Sequence, residues 1–299
     1  MKQNSNDPNF PPFPPPFFMP FYYASLSSLL VFYRVDAKIL EPYLKGTGLK
    51  PAIFGDQGAV TLELQNYTGH SGQILETCNE IEFDILAYPV SREPNIPEMS
   101  LKEFVTAGDQ TKNIGAFRVY VPCDNPFAIK AGREIFGEPK FQTTFGFNVP
   151  SLNNPGVTTW TYSCFDPSYK QPEAGSKKKP APQDVIYKLE ADLNSMHAVP
   201  SNASPITLYS MLPGGELVGD KGNSGRLIGS RWEIHGLFEA YFPNKKTQRD
   251  VNLTIGKSSH PMRKDMEKIL GKSPHAAAVR VYQSVPAAAE NRAFYIDIE

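Results

Sequence analysis

Residues Ala131–Phe141 read AGREIFGEPKF and contain one lysine, Lys140, which follows a proline and lies among apolar residues. Burying an ammonium group is costly unless it is paired, and burial alone lowers its pKa. A lysine that loses its charge becomes a nucleophile toward ketones. The stretch therefore has two interpretations: Lys140 is an active-site nucleophile, or it is an ordinary surface lysine on a turn.

The sequence on both sides of this stretch is typical of an antiparallel β protein. Alternating apolar and polar positions and many β-forming residues predict strands. The predicted strands are Ser28–Asp36, Gly58–Tyr67, Asn79–Val90, Gly115–Cys123, Phe141–Val149, Gly156–Phe165, Asp184–Leu193, Ser204–Leu212, Ser230–Phe242, Asp250–Gly256, Ala277–Val285 and Arg292–Glu299. Helices are predicted at Ala37–Leu44, His260–Leu270 and Ser100–Gln110, the last with a capping-box pattern. We expect a mainly β, β-rich α+β fold with a closed or sandwiched sheet.

The N-terminal region differs in composition from the rest of the chain. Asn9–Tyr23 reads NFPPFPPPFFMPFYY. Proline fixes φ and removes backbone donors, so residues 1–23 are predicted to form an extended arm, with one β-rich domain over residues 24–299. The arm either binds a proline-recognising groove or packs across its own fold or a neighbouring subunit. We favour packing, because free linkers are seldom so apolar.

Composition excludes several classes of function. The 299 residues carry 30 basic and 31 acidic side chains, so no excess positive charge indicates a nucleic-acid or anionic-membrane partner. The three cysteines are widely spaced, which argues against a disulfide framework or a metal site and favours buried, reduced thiols. No apolar stretch is long enough to span a membrane and no secretory signal is visible, so we expect a cytoplasmic protein.

The central stretch resembles the signature of the acetoacetate decarboxylase family, in which a Gly-Arg-Glu sequence is followed by Pro-Lys. The matching residues are Gly132-Arg133-Glu134 and Pro139-Lys140. Leu29–Leu44 is similar to the family's N-terminal strand and short helix, and Val60–Leu64 and Glu76–Phe83 to its two glutamate-bearing strands. The resemblance implies a single domain built around a curved, cone-like antiparallel β-barrel.

The resemblance also implies a mechanism. Lys140 matches the lysine that forms a Schiff base with a ketone, after which a β-carboxylate leaves as carbon dioxide without a metal or organic cofactor. Glu63 and Glu80 match the two active-site glutamates, which would suit general acid–base work on the enamine. An outward, solvated strand face is the alternative for both. Phe136, Glu138 and Phe141 are predicted to line the substrate pocket, while Arg133 and Glu134 are predicted to clamp the lysine loop.

Two departures from the family pattern bear on the substrate. Phe141 replaces a second lysine, so desolvation would have to lower the pKa of Lys140, which Glu138 would oppose if it pointed at the amine. Leu26 stands where the family has an arginine that holds the substrate carboxylate, and the nearest basic residue is Arg34. A β-keto acid larger or more apolar than acetoacetate is therefore the expected substrate. Aldolase-dehydratase or cyclase chemistry, or a non-catalytic barrel that binds a hydrophobic small molecule, are the alternatives. The family and the aromatic arm both predict a homo-oligomer.

Overall fold

The computed structural model describes residues 10–11, 13–71, 74–150, 156–172, 179–212, 225–284 and 288–298. Four α-helices occur in these ranges. They are α1 (Ala37–Leu44), α2 (Leu101–Ala107), α3 (Pro126–Ile135) and α4 (Pro261–Leu270). Helix α2 begins with the predicted capping box, in which Ser100 and Glu103 satisfy each other's backbone N–H groups. Helix α3 was not predicted. It begins at Asn125, whose side chain accepts from the N–H groups of Phe127 and Ala128.

Most of the remaining structure is extended, which confirms the predicted fold class. The strands are β1 (Phe21–Val35), β2 (Leu49–Pro51), β3 (Gly58–Ser71), β4 (Ile74–Pro89), β5 (Gly115–Cys123), β6 (Lys140–Gln142), β7 (Phe145–Asn148), β8 (Thr159–Phe165), β9 (Val185–Asp192), β10 (Val199–Ser201), β11 (Ile206–Leu212), β12 (Arg226–Ile234), β13 (Phe238–Tyr241), β14 (Val251–Ile255), β15 (Ala276–Ser284), β16 (Ala288–Glu290) and β17 (Phe294–Tyr295). The predicted strand Phe141–Val149 is divided into β6 and β7, and Ser230–Phe242 into β12 and β13 at Gly236, which has a φ of 137°.

Thirteen of these strands form one large, curved sheet. Strands β1, β3, β4 and β5 follow one another as antiparallel neighbours. Strand β5 then pairs in parallel with both β11 and β6, so the sheet is mixed rather than wholly antiparallel as expected. Strands β12 and β16 lead back to β1, but β16 contributes only the residue pairs Phe21–Glu290 and Tyr22–Ala289. The sheet is therefore cone-like, without a barrel seam along its whole length.

A second sheet of four strands, in the order β14, β9, β8 and β7, covers one face of the large sheet. The main apolar core lies between them, because alternate residues of β3 and β4 such as Leu62, Leu64, Ile81 and Phe83 face the second sheet and α4. The intervening residues of the same strands face the interior of the cone. This alternation places charged side chains on the inner face.

The N-terminal arm contacts the rest of the fold where it is described. Phe17 is buried in a small apolar cluster with α3, and its ring centroid lies 5.1 Å from that of Phe127. Residues 1–9 and 12 of the predicted arm lie outside the described residues. For residues 13–21 the packing is against the chain's own domain.

Within the described ranges, none of the helices combines the length and hydropathy that a membrane crossing requires.

Candidate active site

The lysine-bearing segment reverses direction at the end of α3. The N–H groups of Phe136 and Glu138 both donate to the carbonyl of Gly132, and Gly137 has a φ of 61°. Few residues other than glycine adopt this left-handed conformation readily. The N–H of Lys140 then donates to the carbonyl of Glu138 at 2.8 Å in a tight turn across Pro139, and the carboxylate of Glu138 lies beside the amine of Lys140. Lys140 is the first residue of β6, directly after this turn.

Two features of the predicted motif hold this geometry. Arg133 Nε donates to the backbone carbonyl of Lys140 at 2.7 Å, which ties the helix to the lysine strand. Gly132 leaves room for the lysine stem, since a Cβ built there would lie 2.5 Å from Cδ of Lys140. Glu134 is exposed, and no hydrogen bond or ion pair of its side chain occurs among the described residues. The clamp therefore consists of Arg133 alone.

The amine of Lys140 is buried and contacts two carboxylates. Its Nζ lies 2.6 Å from Oε2 of Glu80 and 3.2 Å from Oε2 of Glu138. Burial disfavours the charged ammonium, but the charges of Glu138 and Glu80 outweigh burial and raise the pKa of Lys140 well above its usual range. Of the two opposing effects expected from the sequence, the carboxylate charge outweighs desolvation, because Glu138 points at the amine.

The inner face of the cone holds many more buried charges than the sequence interpretation predicted. Six carboxyl groups and three basic groups interact with one another there. This interior charge cluster consists of Glu63, Glu80, Glu82, Asp84, Glu138, Glu290, Arg118, Lys140 and Arg280. Because acids outnumber bases two to one, all six carboxyl groups cannot be ionised together without a large free-energy cost.

Arg118 is the centre of this cluster. Its Nη2 lies 2.5 Å from Glu82 Oε1, its Nη1 lies 2.7 Å from Asp84 Oδ2, and its Nε lies 3.5 Å from Glu138 Oε1. The same guanidinium thus pairs with two carboxylates of β4, those of Glu82 and Asp84, and with the carboxylate of Glu138 beside Lys140. Those carboxylates and that of Glu290 raise the pKa of Arg118 against the effect of burial.

Burial raises the pKa of several carboxyl groups in the cluster, which favours their protonated form. Burial raises the pKa of Asp84 to about 7 and that of Glu290 to about 7. Burial also raises the pKa of Glu82 well above its usual range, and that of Glu63 upward. Glu63 and Glu82 are directly opposite on β3 and β4, where two like charges would repel. The cluster is therefore partly protonated near neutral pH.

Lys140 lines a cavity that we call the lysine cavity. Its acidic residues are Glu76, Glu80, Glu82, Glu138 and Glu290, and its aromatic residues are Phe21, Tyr23, Tyr67, Phe127 and Phe136. Among the described residues that line it, His70 is the only basic or imidazole side chain besides Lys140. The cavity thus offers a substrate aromatic walls and many carboxyl groups, but no guanidinium.

The structure separates the predicted site residues into two groups. Glu80, Glu138 and Phe136 line the lysine cavity with Lys140. Phe141, contrary to the prediction, lies on the opposite face of β6, where its ring stacks on His260 with a centroid distance of 4.5 Å. Strand alternation is the reason, because Lys140 occupies the inner face. Glu63 faces inward and accepts from Ser28 Oγ at 2.5 Å, but it lines a different cavity.

Leu26 stands where the resemblance implied an arginine that holds the substrate carboxylate. Leu26 is buried in an apolar cluster. Arg34 donates to the carbonyl of Phe54 and is not among the residues that line the lysine cavity.

Two cysteines lie beside the lysine although they are distant in the sequence. Cys78 Sγ and Cys123 Sγ are 3.2 Å apart on neighbouring strands, and all three cysteines are free and buried as predicted. Together with a carboxylate oxygen of Glu80, the two sulfur atoms lie close enough to hold a metal ion. Sequence spacing could not have revealed this group, because sheet pairing alone brings the two thiols together.

Several residues that contact this site were not predicted from the sequence. They are Glu82, Asp84, Arg118, Tyr23, Tyr67 and Glu290. A signal existed in Gly115–Cys123, where Arg118 interrupts an otherwise apolar strand. A lone arginine in such a strand requires buried carboxylates on its neighbours.

Comparison with known proteins agrees with the geometry. The model of the acetoacetate decarboxylase family matches residues 6–162. No curated protein matches the sequence. An acetoacetate decarboxylase-like enzyme from Sphingomonas wittichii RW1 has a similar structure, with 14% identity, a TM-score of 0.56 and 93% of each chain covered. An acetoacetate decarboxylase from Legionella pneumophila subsp. pneumophila str. Philadelphia 1 has 10% identity and a TM-score of 0.58, covering 99% of this chain and 92% of that one.

A third similar structure, from a structural study of acetoacetate decarboxylase, has 14% identity and a TM-score of 0.55. It covers 99% of this chain and 95% of that one. At these identities the likeness shows the fold.

Proposed function

Because this chain belongs to the acetoacetate decarboxylase family, we propose that Lys140 forms a Schiff base with the ketone of a β-keto acid and that carbon dioxide is then lost. The observation that carries the proposal is the buried Nζ of Lys140, which faces the lysine cavity 2.6 Å from a carboxylate. An amine that lines a cavity with aromatic side chains and has a carboxylate beside it as proton acceptor is an arrangement suited to iminium chemistry.

The resting ammonium must lose a proton before it attacks. We assign this proton to Glu80, whose Oε2 already accepts a hydrogen bond from Nζ. The neutral amine adds to the ketone carbonyl, and loss of water gives the iminium. The electron pair of the bond to the departing carboxylate moves into the iminium, which leaves carbon dioxide and an enamine. Return of a proton to the enamine carbon and hydrolysis release the ketone and the lysine.

The lining of the cavity bears on the substrate. A substrate carboxylate would be surrounded by Glu80, Glu82, Glu138 and Glu290, with no arginine among the lining residues. Such surroundings destabilise a carboxylate relative to neutral carbon dioxide, which favours its departure once the iminium has formed. They also weaken initial binding of an anion. An apolar substituent packed against the aromatic wall would then supply most of the binding free energy.

The same lining favours a second candidate. A neutral ketone or aldehyde would avoid the carboxylates altogether and still condense with Lys140. Aldol addition or dehydration through the same iminium is therefore the alternative reaction, and it retains all substrate carbon.

Reductive trapping tests the proposal. The protein is incubated with β-keto acids of increasing apolar length, and separately with neutral ketones and aldehydes, then reduced with borohydride and mapped by mass spectrometry. We expect an adduct on Lys140 with release of carbon dioxide, no adduct in Lys140→Met, and an unchanged adduct in the control Lys112→Met. An adduct that retains all carbon selects the aldol reaction. Absence of an adduct with every carbonyl compound rejects both.

Glu80→Gln separates proton transfer from charge pairing. If Glu80 accepts the proton, the substitution slows adduct formation by about 10²–10⁴-fold. If Glu80 only stabilises the ammonium, its loss lowers the pKa of Lys140 and speeds the reaction instead. Glu138→Gln is the matched control, since Glu138 also pairs with Lys140. We expect that control to accelerate adduct formation at neutral pH.

A further inference from the structure

A second cavity lies beside the interior charge cluster and is lined by Arg280. We call it the arginine cavity. Arg280 projects inward from β15, at a position opposite Leu30 of β1, and is buried with 4% of its surface exposed. Its guanidinium carbon lies 4.5 Å from the ring centroid of Phe238 and 5.6 Å from that of Phe32. The aromatic rings orient the group and leave its N–H donors to be satisfied elsewhere.

One of those donors is buried without an acceptor. Nε of Arg280 has no hydrogen-bond partner, and its guanidinium forms no salt bridge with any carboxylate in the described part of the chain. Burial accordingly lowers the pKa of Arg280 to about 10, a shift that the charge of Glu63 only partly opposes. An unpaired buried guanidinium is costly, and most buried arginines are paired. Because Arg280 lies on a cavity wall, there is space beside its guanidinium for a bound anion.

The other charged groups of the arginine cavity are already engaged. Asp109 accepts from the backbone N–H groups of Asn113 and Ile114. Asp84 is paired with Arg118, and Glu63 accepts from Ser28. These contacts, together with the raised pKa values of Asp84 and Glu63, reduce the negative charge that would compete for Arg280.

Lys112 adds a second basic group to the wall of this cavity. Its Nζ lies 3.2 Å from the carbonyl oxygen of Ala203 and 3.4 Å from that of Ser204. The remaining wall is largely apolar, with Leu30, Phe32, Leu86, Phe104, Ile114 and Leu208. The cavity thus combines the guanidinium of Arg280, which has no ion pair among the described residues, with an apolar wall.

We propose that the arginine cavity binds a small monocarboxylate with an apolar tail, whose carboxylate pairs with Arg280. A planar carboxylate matches the fork of a guanidinium in two parallel hydrogen bonds. The apolar wall favours a hydrocarbon tail, and the neighbouring carboxyl groups disfavour a dianion such as phosphate. This site is distinct from the lysine cavity and does not depend on the chemistry assigned to Lys140.

Binding of butyrate tests the proposal, measured by isothermal titration calorimetry and by the thermal midpoint at constant ionic strength. We expect butyrate to bind and to raise the midpoint, whereas butyramide and inorganic phosphate do neither. Arg280→Met should weaken butyrate binding by at least about tenfold. Arg231→Met is the matched control, because Arg231 also lies beside an aromatic ring but does not line the cavity, and it should bind butyrate normally.

Lys140→Met should also bind butyrate normally, which separates this site from the proposed Schiff-base site. Equal binding of butyrate by the native protein and Arg280→Met would overturn the proposal, as would an absence of binding to the native protein. Binding of phosphate in preference to butyrate would overturn the assignment of a monocarboxylate. The thermal midpoint of Arg280→Met without ligand shows whether that variant is folded.

Discussion

The two cavities contain buried cations in opposite circumstances. Lys140 contacts two carboxylates, whose charges raise its pKa. Arg280 lies near two phenyl rings and has no ion pair among the described residues, and burial lowers its pKa. The first arrangement keeps a proton close to an acceptor and suits proton transfer. The second leaves donors free and suits recognition of an anion. Burial of a charge therefore indicates a function only when its partners are known.

Arg118 and Arg280 provide the sharpest test of this comparison. Removing Arg118 leaves Glu82, Asp84 and Glu138 without their counter-charge, so Arg118→Met should lower the free energy of unfolding by about 3–5 kcal/mol. Arg280→Met removes a cation that has no ion-pair partner in the described structure, and it should cost far less or stabilise the protein. Urea unfolding at pH 7 measures both. Equal losses would mean that Arg280 is paired after all.

The acidic surroundings of Lys140 should make stability depend on pH. The pKa of Glu290 is about 7 in the folded protein and 4.5 as a free side chain. Between these values the unfolded chain releases a proton that the folded protein retains, so stability falls as pH rises from about 4.5 to 7 and changes no further above that range. This rise in the pKa of Glu290 corresponds to a loss of about 3 kcal/mol in the free energy of unfolding between low and high pH.

Glu290→Gln should remove this part of the slope and stabilise the protein at pH 8 relative to the native chain. Urea unfolding at pH 5 and pH 8 measures the change, with Glu41→Gln on the exposed side of α1 as control. A slope that is identical in the native protein and Glu290→Gln would show that Glu290 is ionised throughout.

Gly132→Ala should have a smaller effect on stability and a selective effect on the lysine cavity. Alanine favours a helix over glycine by about 1 kcal/mol, but the new methyl group would meet the stem of Lys140 and the carboxylate of Glu138. Overpacking of this kind costs about 1–3 kcal/mol and displaces the amine. We expect less borohydride-trapped adduct with butyrate binding unchanged.

Glu134→Ala, at an exposed position of the same helix, is the control for Gly132→Ala. It should alter neither measurement, since the clamp on the lysine strand comes from Arg133. A loss of adduct in Glu134→Ala would restore the role that the sequence predicted for Glu134.

Sequence patterns predicted the sheet better than the site because strand alternation identifies two faces without saying which is buried. In β4, Ile81 and Phe83 alternate with Glu80, Glu82 and Asp84, and the side chains on both faces are buried. The cone has a charged interior, so polarity alone gave the wrong environment. The motif placed Lys140 and Glu80 correctly in one cavity, while Phe141 was assigned by proximity in sequence rather than by alternation.

Helix α3 was missed for a different reason. Its residues PFAIKAGREI include a glycine and were interpreted only as part of a motif, although proline at the first position and Asn125 before it are common at helix starts. The approach of Glu138 to Lys140 depends on the tight turn across Pro139, in which the N–H of Lys140 donates to the carbonyl of Glu138, and the motif alone does not specify that turn. Local sequence patterns could not reveal that Cys78 lies beside Cys123 or that Arg280 has no ion pair among the described residues. Both features depend on pairing between strands that are distant in the sequence.

The packing of Phe17 and Phe21 near α3 has a practical consequence for how this protein is produced. The proline-rich start is an obvious candidate for deletion when a shorter, more crystallisable version is wanted. Phe21 forms part of the aromatic wall, and its ring lies 5.8 Å from that of Phe136. A truncation that removes Phe21 would therefore also alter the wall of the lysine cavity. Loss of activity in such a protein would not test the role of Lys140.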